Sequence, residues 1–197
     1  LVEKIQKKNL SNDAQRIFKK LILTNAFPPE NNINIEEFID LKIKWLIKQD
    51  DLNLIKEFII KNDKGKFNNK LIKYYLDKNL SIGKVDESCE LFSSVKNIPD
   101  DDYILKYKLF CFIHKDQRDI AQLQYDLMKE SGFDDNFFDK TFNYLMGYTS
   151  YPDIIISEEN LLDFHLSYLS IKDFSYEPKE NTKKIFWRYL SSNNLLT

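Results

Sequence analysis

Apolar side chains between Phe38 and Glu130 recur with a period of 33 residues. The phase is set by three turn residues, Asp50, Gly83 and Asp116, which are spaced at that interval. Apolar residues stand eleven, seven and three positions before each turn, and these spacings place them on one face of an α-helix. They are Ile39, Ile72 and Leu105, then Ile43, Leu76 and Leu109, then Ile47, Leu80 and Ile113. Each period is therefore predicted to begin with an amphipathic helix, here termed the first helix.

A second helix is predicted after each turn. The positions five residues after the turns hold Ile55, Ser88 and Ala121, and those nine residues after hold Ile59, Phe92 and Tyr125. A step of four residues again indicates one face of an amphipathic helix. A pair of such helices cannot bury its apolar stripes alone, so neighbouring pairs must stack. The pattern predicts an all-α fold, built as a stack of helical-hairpin repeats.

The turn and the start of the second helix resemble the tetratricopeptide repeat, in which the pattern G-x-x-x-x-A occurs. Gly83 to Ser88 matches with serine as the small residue, and Asp116 to Ala121 matches with aspartate in place of glycine. Phe92 and Tyr125 stand where that family places a large ring. The chain departs from the family at the first-helix positions that usually hold a small residue, Ile43, Leu76 and Leu109. The resemblance implies a TPR-like α-solenoid over about residues 38–146.

The prediction is one α-helical domain over residues 1–197, in three parts. Residues 1–33 hold N-terminal helices and a break at Pro28-Pro29, because paired prolines cannot continue a helix. Residues 34–131 hold three repeats, which open with a capping box of Asn34 and Glu37. Residues 132–197 hold half a repeat, an interruption at 147–152, a linker or extended segment, and two capping helices. These helices, predicted at Glu158–Ser170 and Pro178–Ser191, form an irregular C-terminal cap.

Composition limits the classes of partner and compartment. The net charge is −2 and the pI about 5.8, so nucleic-acid binding is not expected. No apolar run approaches the roughly 18 residues that a membrane span requires. The chain begins at Leu1 and is expected to be part of a longer protein. Localisation stays open between the cytoplasm and, if an upstream signal peptide was removed, the periplasm. The oligomeric state is also open.

The sequence holds no motif of an enzyme or cofactor site, so no catalytic residue, cofactor or metal ligand is predicted. Glycine-rich phosphate-binding patterns and the H-E-x-x-H zinc pattern do not occur, and capping explains the paired carboxylates at helix starts. His114 and His165 are interpreted as structural or exposed, and His165 beside Asp163 is the one place where acid–base chemistry is considered. Cys89 and Cys111 fall on helices expected to pack together, and they are interpreted as buried, inert thiols.

Two surfaces are predicted as binding regions. The first helices are expected to line a mildly basic groove with nearby aromatic rings, suited to an acidic peptide or a partner helix. Its residues are Lys44, Lys48, Lys73, Tyr75, Lys106, Phe110 and His114; the alternative is an ordinary solvated face. Tyr148, Tyr151, Trp187 and Arg188 are predicted as a possible aromatic patch, and packing within the cap is the alternative for the last helix.

These features favour a non-catalytic helical-repeat scaffold that binds a partner protein or peptide. The alternative is an accessory helical domain of a larger enzyme that acts on cell walls or nucleic acids, with its catalytic part outside this sequence. That alternative rests on analogy at the level of fold.

Overall fold

The described chain is helical throughout, which confirms the all-α prediction. The computed structural model describes residues 10–24, 31, 33–62 and 69–196. Within those ranges ten α-helices occur and no strand. Their bounds are α1 Asn12–Leu23, α2 Ile35–Gln49, α3 Leu52–Lys61, α4 Asn69–Ser81, α5 Val85–Ser94, α6 Asp102–His114, α7 Arg118–Glu130, α8 Asn136–Leu145, α9 Leu161–Ser170 and α10 Lys184–Ser192. The predicted break at Pro28-Pro29 lies outside the described residues. No helix of the described residues is long and apolar enough to cross a lipid bilayer.

The chain divides into two compact units, Leu1–Leu71 and Ile72–Thr197. The sequence predicted one domain and placed no boundary inside α4, where this division falls. The first unit contains α1, α2 and α3, and its core is formed by apolar residues of α2 and α3. The predicted capping box is confirmed at the start of α2, where Asn34 and Glu37 each bind the other's backbone N–H at 2.8 and 3.1 Å. The ring of Phe18 on α1 meets Trp45 edge to face.

In the second unit, α6 is the central helix. It packs against α5, α7 and α8, and α8 in turn packs against α9. Burial on several sides is consistent with the composition of α6, which is apolar around most of its circumference. Its residues Ile104, Tyr107, Leu109, Phe110 and Cys111 are all buried.

The 33-residue interval appears in the helix boundaries. The second helices α3, α5 and α7 begin at Leu52, Val85 and Arg118. The turns before them at Asp50, Gly83 and Asp116 all adopt a left-handed backbone, with φ of 55°, 73° and 55°. Equivalent core positions are also alike, because one set on the first helices and one on the second helices is buried in all three copies. They are Ile43, Leu76 and Leu109, and Ile55, Ser88 and Ala121.

The C-terminal part contains the two expected helices with different starts. The interruption after α8 is followed by residues 151–158, which are not helical, as predicted. Asn160 caps α9 by accepting the N–H of Asp163 at 2.9 Å. The predicted start of the last helix at Pro178 is wrong, because Thr182 closes a turn with Lys179 through two hydrogen bonds of 2.9 Å. The last helix, α10, therefore begins only at Lys184.

A disulfide bond joins α5 to α6. Cys89 and Cys111 are bonded, their Cα atoms lie 5.3 Å apart, and both residues are buried. The interpretation as inert free thiols is therefore wrong. The prediction that the two helices pack together was sufficient to bring the sulfur atoms into reach, but the sequence alone did not show whether they face each other.

Candidate binding cleft

A contact between a lysine and a helix-capping aspartate occurs twice at the repeat interval. Lys73 on α4 lies 2.8 Å from Oδ2 of Asp101, whose Oδ1 accepts the N–H of Ile104 at 3.3 Å and caps α6. Lys106 on α6 lies 2.7 Å from Oδ2 of Asp135, whose Oδ1 accepts the N–H of Phe138 at 2.9 Å and caps α8. Each carboxylate therefore satisfies one helix start and one lysine of the preceding first helix.

The second of these contacts is the more deeply buried. Lys106 also donates to Asp163 on α9 at 3.2 Å, and Asp163 accepts a further hydrogen bond of 2.6 Å from the Asn160 side chain. Burial opposes the charged form of Lys106, yet the hydrogen bond to Asp135 and the charge of Asp163 hold its pKa above the usual value. Burial raises the pKa of Asp163, and Lys106 partly offsets that rise. The Lys106 ammonium thus joins α6, α8 and α9 through buried charges.

These contacts border a cleft of ≈ 400 Å³ at the N-terminal ends of α6, α8 and α9. The cleft is lined by Lys73, Asp101, Asp102, Tyr103, Lys106, Phe133, Asp134, Asp135, Glu159 and Asn160. Both ammonium groups are bound by the capping carboxylates. The side chains of Asp102, Asp134 and Glu159 are exposed and add negative charge. The cleft is therefore acidic, in contrast to the basic groove that the sequence predicted on the first helices.

A buried carboxylate lies next to the cleft. Asp77 on α4 accepts a hydrogen bond from the hydroxyl of Tyr103, one of the cleft residues. Burial raises the pKa of Asp77 to about 6, although this hydrogen bond and the charge of Lys73 act in the opposite direction. Near neutral pH the Asp77 side chain is thus charged at an energetic cost that the fold must offset.

Three of the seven predicted groove residues do not lie on a surface. Tyr75, Lys106 and Phe110 are 3%, 6% and 2% exposed, so their side chains cannot line an open groove as predicted. The reason is the central position of α6, together with the hydrogen bond from the Tyr75 hydroxyl to the backbone oxygen of Glu87. Lys106 contributes to the cleft as an ion-pair partner at its border.

The other four groove residues are at least partly accessible. Lys44 and Lys48 of α2 are exposed, and Lys44 pairs with Asp40 at 2.6 Å. Both belong to the first unit, whereas Lys73 and His114 belong to the second. Lys73 lines the cleft, and His114 on α6 lies 2.9 Å from Asp86.

All four residues of the predicted aromatic patch are exposed. Tyr148 and Tyr151 follow α8, and Trp187 and Arg188 lie on α10. On the same helix Phe186, Tyr189 and Leu190 are buried, as the helical spacing predicted for the cap. Trp187 and Arg188 therefore lie on the opposite side of α10 from the residues that hold it in place.

His165 and Asp163 do not form the acid–base pair that was considered. Nδ1 of His165 lies 2.7 Å from the Tyr189 hydroxyl, whereas the carboxylate of Asp163 is bound by Lys106 and Asn160. Burial and the charge of His114 lower the pKa of His165 to about 4. His165 is thus a neutral core residue near pH 7. In the part of the chain that the structure describes, no group of three or more His, Cys, Asp or Glu could hold a metal ion.

Sequence reasoning assigned the aspartates at 100–102 and 134–135 to helix capping, which is confirmed for Asp101 and Asp135. It missed their second role as partners of lysine. A signal was present, because Lys73 and Lys106 are one period apart and each precedes a capping aspartate by nearly the same distance.

The fold defines an all-α protein whose described helices include hairpins at a regular interval. Comparisons with protein-family models, with curated proteins and with solved structures found no match to this sequence.

Proposed function

We propose that this chain is a non-catalytic helical-repeat scaffold, a TPR-like α-solenoid, that binds a segment of another protein. The observation that carries the proposal is the lysine–capping-aspartate contact that recurs at the repeat interval, Lys73 with Asp101 and Lys106 with Asp135. A contact that links each first helix to the start of the next is what a stack of equivalent hairpins requires. It also leaves a cleft between those helix starts, which is the type of concave site that ligands use.

The charge of the cleft favours a cationic partner segment. Its lysines are already bound to carboxylates, whereas Asp102, Asp134 and Glu159 are exposed at its border. Lysine or arginine side chains of a partner would pair with these three carboxylates, and Tyr103 and Phe133 offer rings against which their aliphatic stems can pack. A partner segment rich in lysine or arginine therefore replaces the acidic peptide suggested by the sequence.

A peptide titration of the full chain tests this proposal. Hexalysine is added to the protein, binding is followed by calorimetry and by amide chemical shifts, and hexaglutamate serves as the matched probe. We expect hexalysine to bind and to shift amides of the cleft residues, and hexaglutamate to do neither. Affinity should fall as salt rises, because the ion pairs are close to solvent.

The triple variant D102K/D134K/E159K should weaken hexalysine binding at least about tenfold, because it reverses the charge of the cleft border. The matched control is D173K/E177K/E180K, which makes the same charge change at three exposed residues that do not line the cleft. Equal loss of affinity in the two variants would mean that net charge, not the cleft, attracts the peptide, and the proposal would be abandoned.

A further inference from the structure

Helix α7 carries apolar residues on two separate faces. Ala121 and Met128 are buried on the face toward the core, and Tyr125 stacks on Phe142 of α8 at a ring distance of 4.1 Å. A second row points to solvent, here termed the exposed row, and consists of Ile120, Leu123 and Leu127 at 45%, 59% and 50% exposure. Spacings of three and four residues align these side chains on one stripe of the helix. The exposed row plays no part in holding α7 in the fold through buried contacts.

The preceding repeat shows that the fold does not need apolar residues there. The positions one period earlier on α5 are Glu87, Glu90 and Ser94, and all three are polar and exposed. The same site in the hairpin is therefore compatible with charged side chains. Three large aliphatic residues in a row are a departure specific to α7, and grouped apolar residues in water are typical of interaction sites.

Acidic side chains border the exposed row along one side. On the helical wheel of α7 this acidic edge consists of Asp119, Asp126 and Glu130, all exposed, whereas uncharged Gln117 and Gln124 border the other side. The cations of α7 do not neutralise this edge. Lys129 pairs with Asp139 of α8 at 2.9 Å, and Arg118 donates to the backbone oxygen of Met146 at 3.0 Å.

We propose that the exposed row of α7 is the docking site for an amphipathic helix of a partner protein, with an apolar stripe and a lysine- or arginine-rich edge. The apolar stripe would cover Ile120, Leu123 and Leu127, in the manner of a helix anchored by residues at regular spacing. The basic edge would face Asp119, Asp126 and Glu130 and fix the orientation of the helix. This site goes beyond the cleft and shares no residue with it.

The same acidic edge disfavours two other occupants. In an antiparallel pairing of α7 with α7 of a second copy, the acidic edges of the two helices meet and repel each other. A parallel pairing places each acidic edge against the uncharged Gln117 and Gln124, which offer no compensating charge. An anionic lipid surface repels the edge as well, whereas membrane-surface helices usually carry lysine or arginine beside their apolar stripe.

Two designed helical peptides of roughly 18 residues test the proposal with the full chain. Both carry leucine at i, i+3 and i+7, and they differ only in an edge of lysine or of glutamate. We expect the lysine-edged peptide to bind and the glutamate-edged peptide to bind at least about tenfold more weakly. Amide shifts should map to α7.

The variant I120E/L123E/L127S transplants the α5 residues onto α7, so it is expected to fold, which circular dichroism and thermal unfolding will check. It should lose peptide binding by at least about tenfold. The variant D119K/D126K/E130K should invert the preference between the two peptides. The cleft variant D102K/D134K/E159K should bind the lysine-edged peptide as the parent does, which separates this proposal from the proposed function.

Three outcomes would overturn the proposal. The first is unchanged affinity in I120E/L123E/L127S when that variant is folded. The second is a dimer of the parent, seen by sedimentation, that this variant abolishes, because the exposed row would then be covered by a second copy. The third is binding of the parent, but not of the variant, to vesicles of phosphatidylglycerol.

Discussion

Two buried titratable residues of the second unit respond to pH in opposite directions. The pKa of Asp77 is raised from 3.8 to about 6, so the folded protein binds a proton more tightly than the unfolded chain does. Stability from Asp77 is therefore present below pH 4 and is lost as the pH rises through 6. The pKa of His165 is lowered from 6.5 to about 4, so its contribution is present above pH 6.5 and is lost as the pH falls through 4. Over this window the two effects offset each other.

Single substitutions should separate the two effects. Relative to the parent, Asp77→Asn should become more stable by about 3 kcal/mol as the pH rises from 4 to 7, and His165→Gln less stable by a similar amount. Both values are differences between pH 4 and pH 7, so the constant cost of each substitution cancels. Urea unfolding at four pH values measures them. Changes of the same sign in the two variants would contradict the assignment.

The two repeat-equivalent lysines should differ in their effect on stability. Lys106→Met leaves the buried Asp163 without its cation and should lower the free energy of unfolding by about 3–5 kcal/mol. Lys73→Met breaks the equivalent contact at a half-exposed site and should cost no more than about 1 kcal/mol. Urea unfolding at pH 7 provides the comparison. If the two costs are equal, burial is not what distinguishes the contacts.

At the scale of the helices, the turns are as regular as the helices themselves. Gly83 adopts its left-handed φ without strain, whereas Asp50 and Asp116 adopt the same conformation with a Cβ atom present. Aspartate tolerates this region better than most residues, but at a cost in backbone energy. The three positions therefore form a natural series in which only the side chain differs.

Replacement of aspartate by glycine at the turns should stabilise the protein. We expect Asp116→Gly to raise the free energy of unfolding by about 0.5–1 kcal/mol, because the relief of strain exceeds the loss of an exposed pair with Arg118. Gly83→Ala should lower it by about 1–2 kcal/mol through backbone strain alone, since no atom lies within 4 Å of the added Cβ. Thermal unfolding measures both. A destabilised Asp116→Gly would show that the carboxylate has a role beyond the turn.

Periodicity in the sequence was sufficient to predict the all-α class, the positions of the helical hairpins and the buried stripe at Ile43, Leu76 and Leu109. It could not predict which faces of α6 remain open, because that depends on α5, α7 and α8 packing around it. The surface role assigned to Tyr75, Lys106 and Phe110 failed for that reason. The start of α10 failed because a side-chain turn at Thr182 outweighed the preference of proline for a first helical turn.

At the scale of the whole molecule, links between helices come from the ends of side chains as well as from the core. Lys106 joins three helices of the second unit, and the Cys89–Cys111 bond joins α5 to α6. The bonded cysteines are 22 residues apart in sequence. Such a cross-link stabilises the fold mainly by restricting the unfolded chain.

Loss of this cross-link should lower the free energy of unfolding by about 3 kcal/mol. The double variant C89S/C111S measures the effect, and treatment of the parent with dithiothreitol should produce a similar shift in the thermal midpoint. The double variant itself should not respond to dithiothreitol. A parent midpoint that does not change with the reductant, after complete reduction confirmed by mass spectrometry, would contradict the prediction.

The cystine also bears on how the mature molecule is assembled. Glutathione and thioredoxin keep thiols reduced, whereas oxidising compartments let such bonds form and persist. Because both cysteines are buried, oxidation must occur before the hairpins close or during transient opening. Material refolded with a glutathione redox couple should therefore be homogeneous, while material from a reducing host should contain a less stable, unbridged fraction.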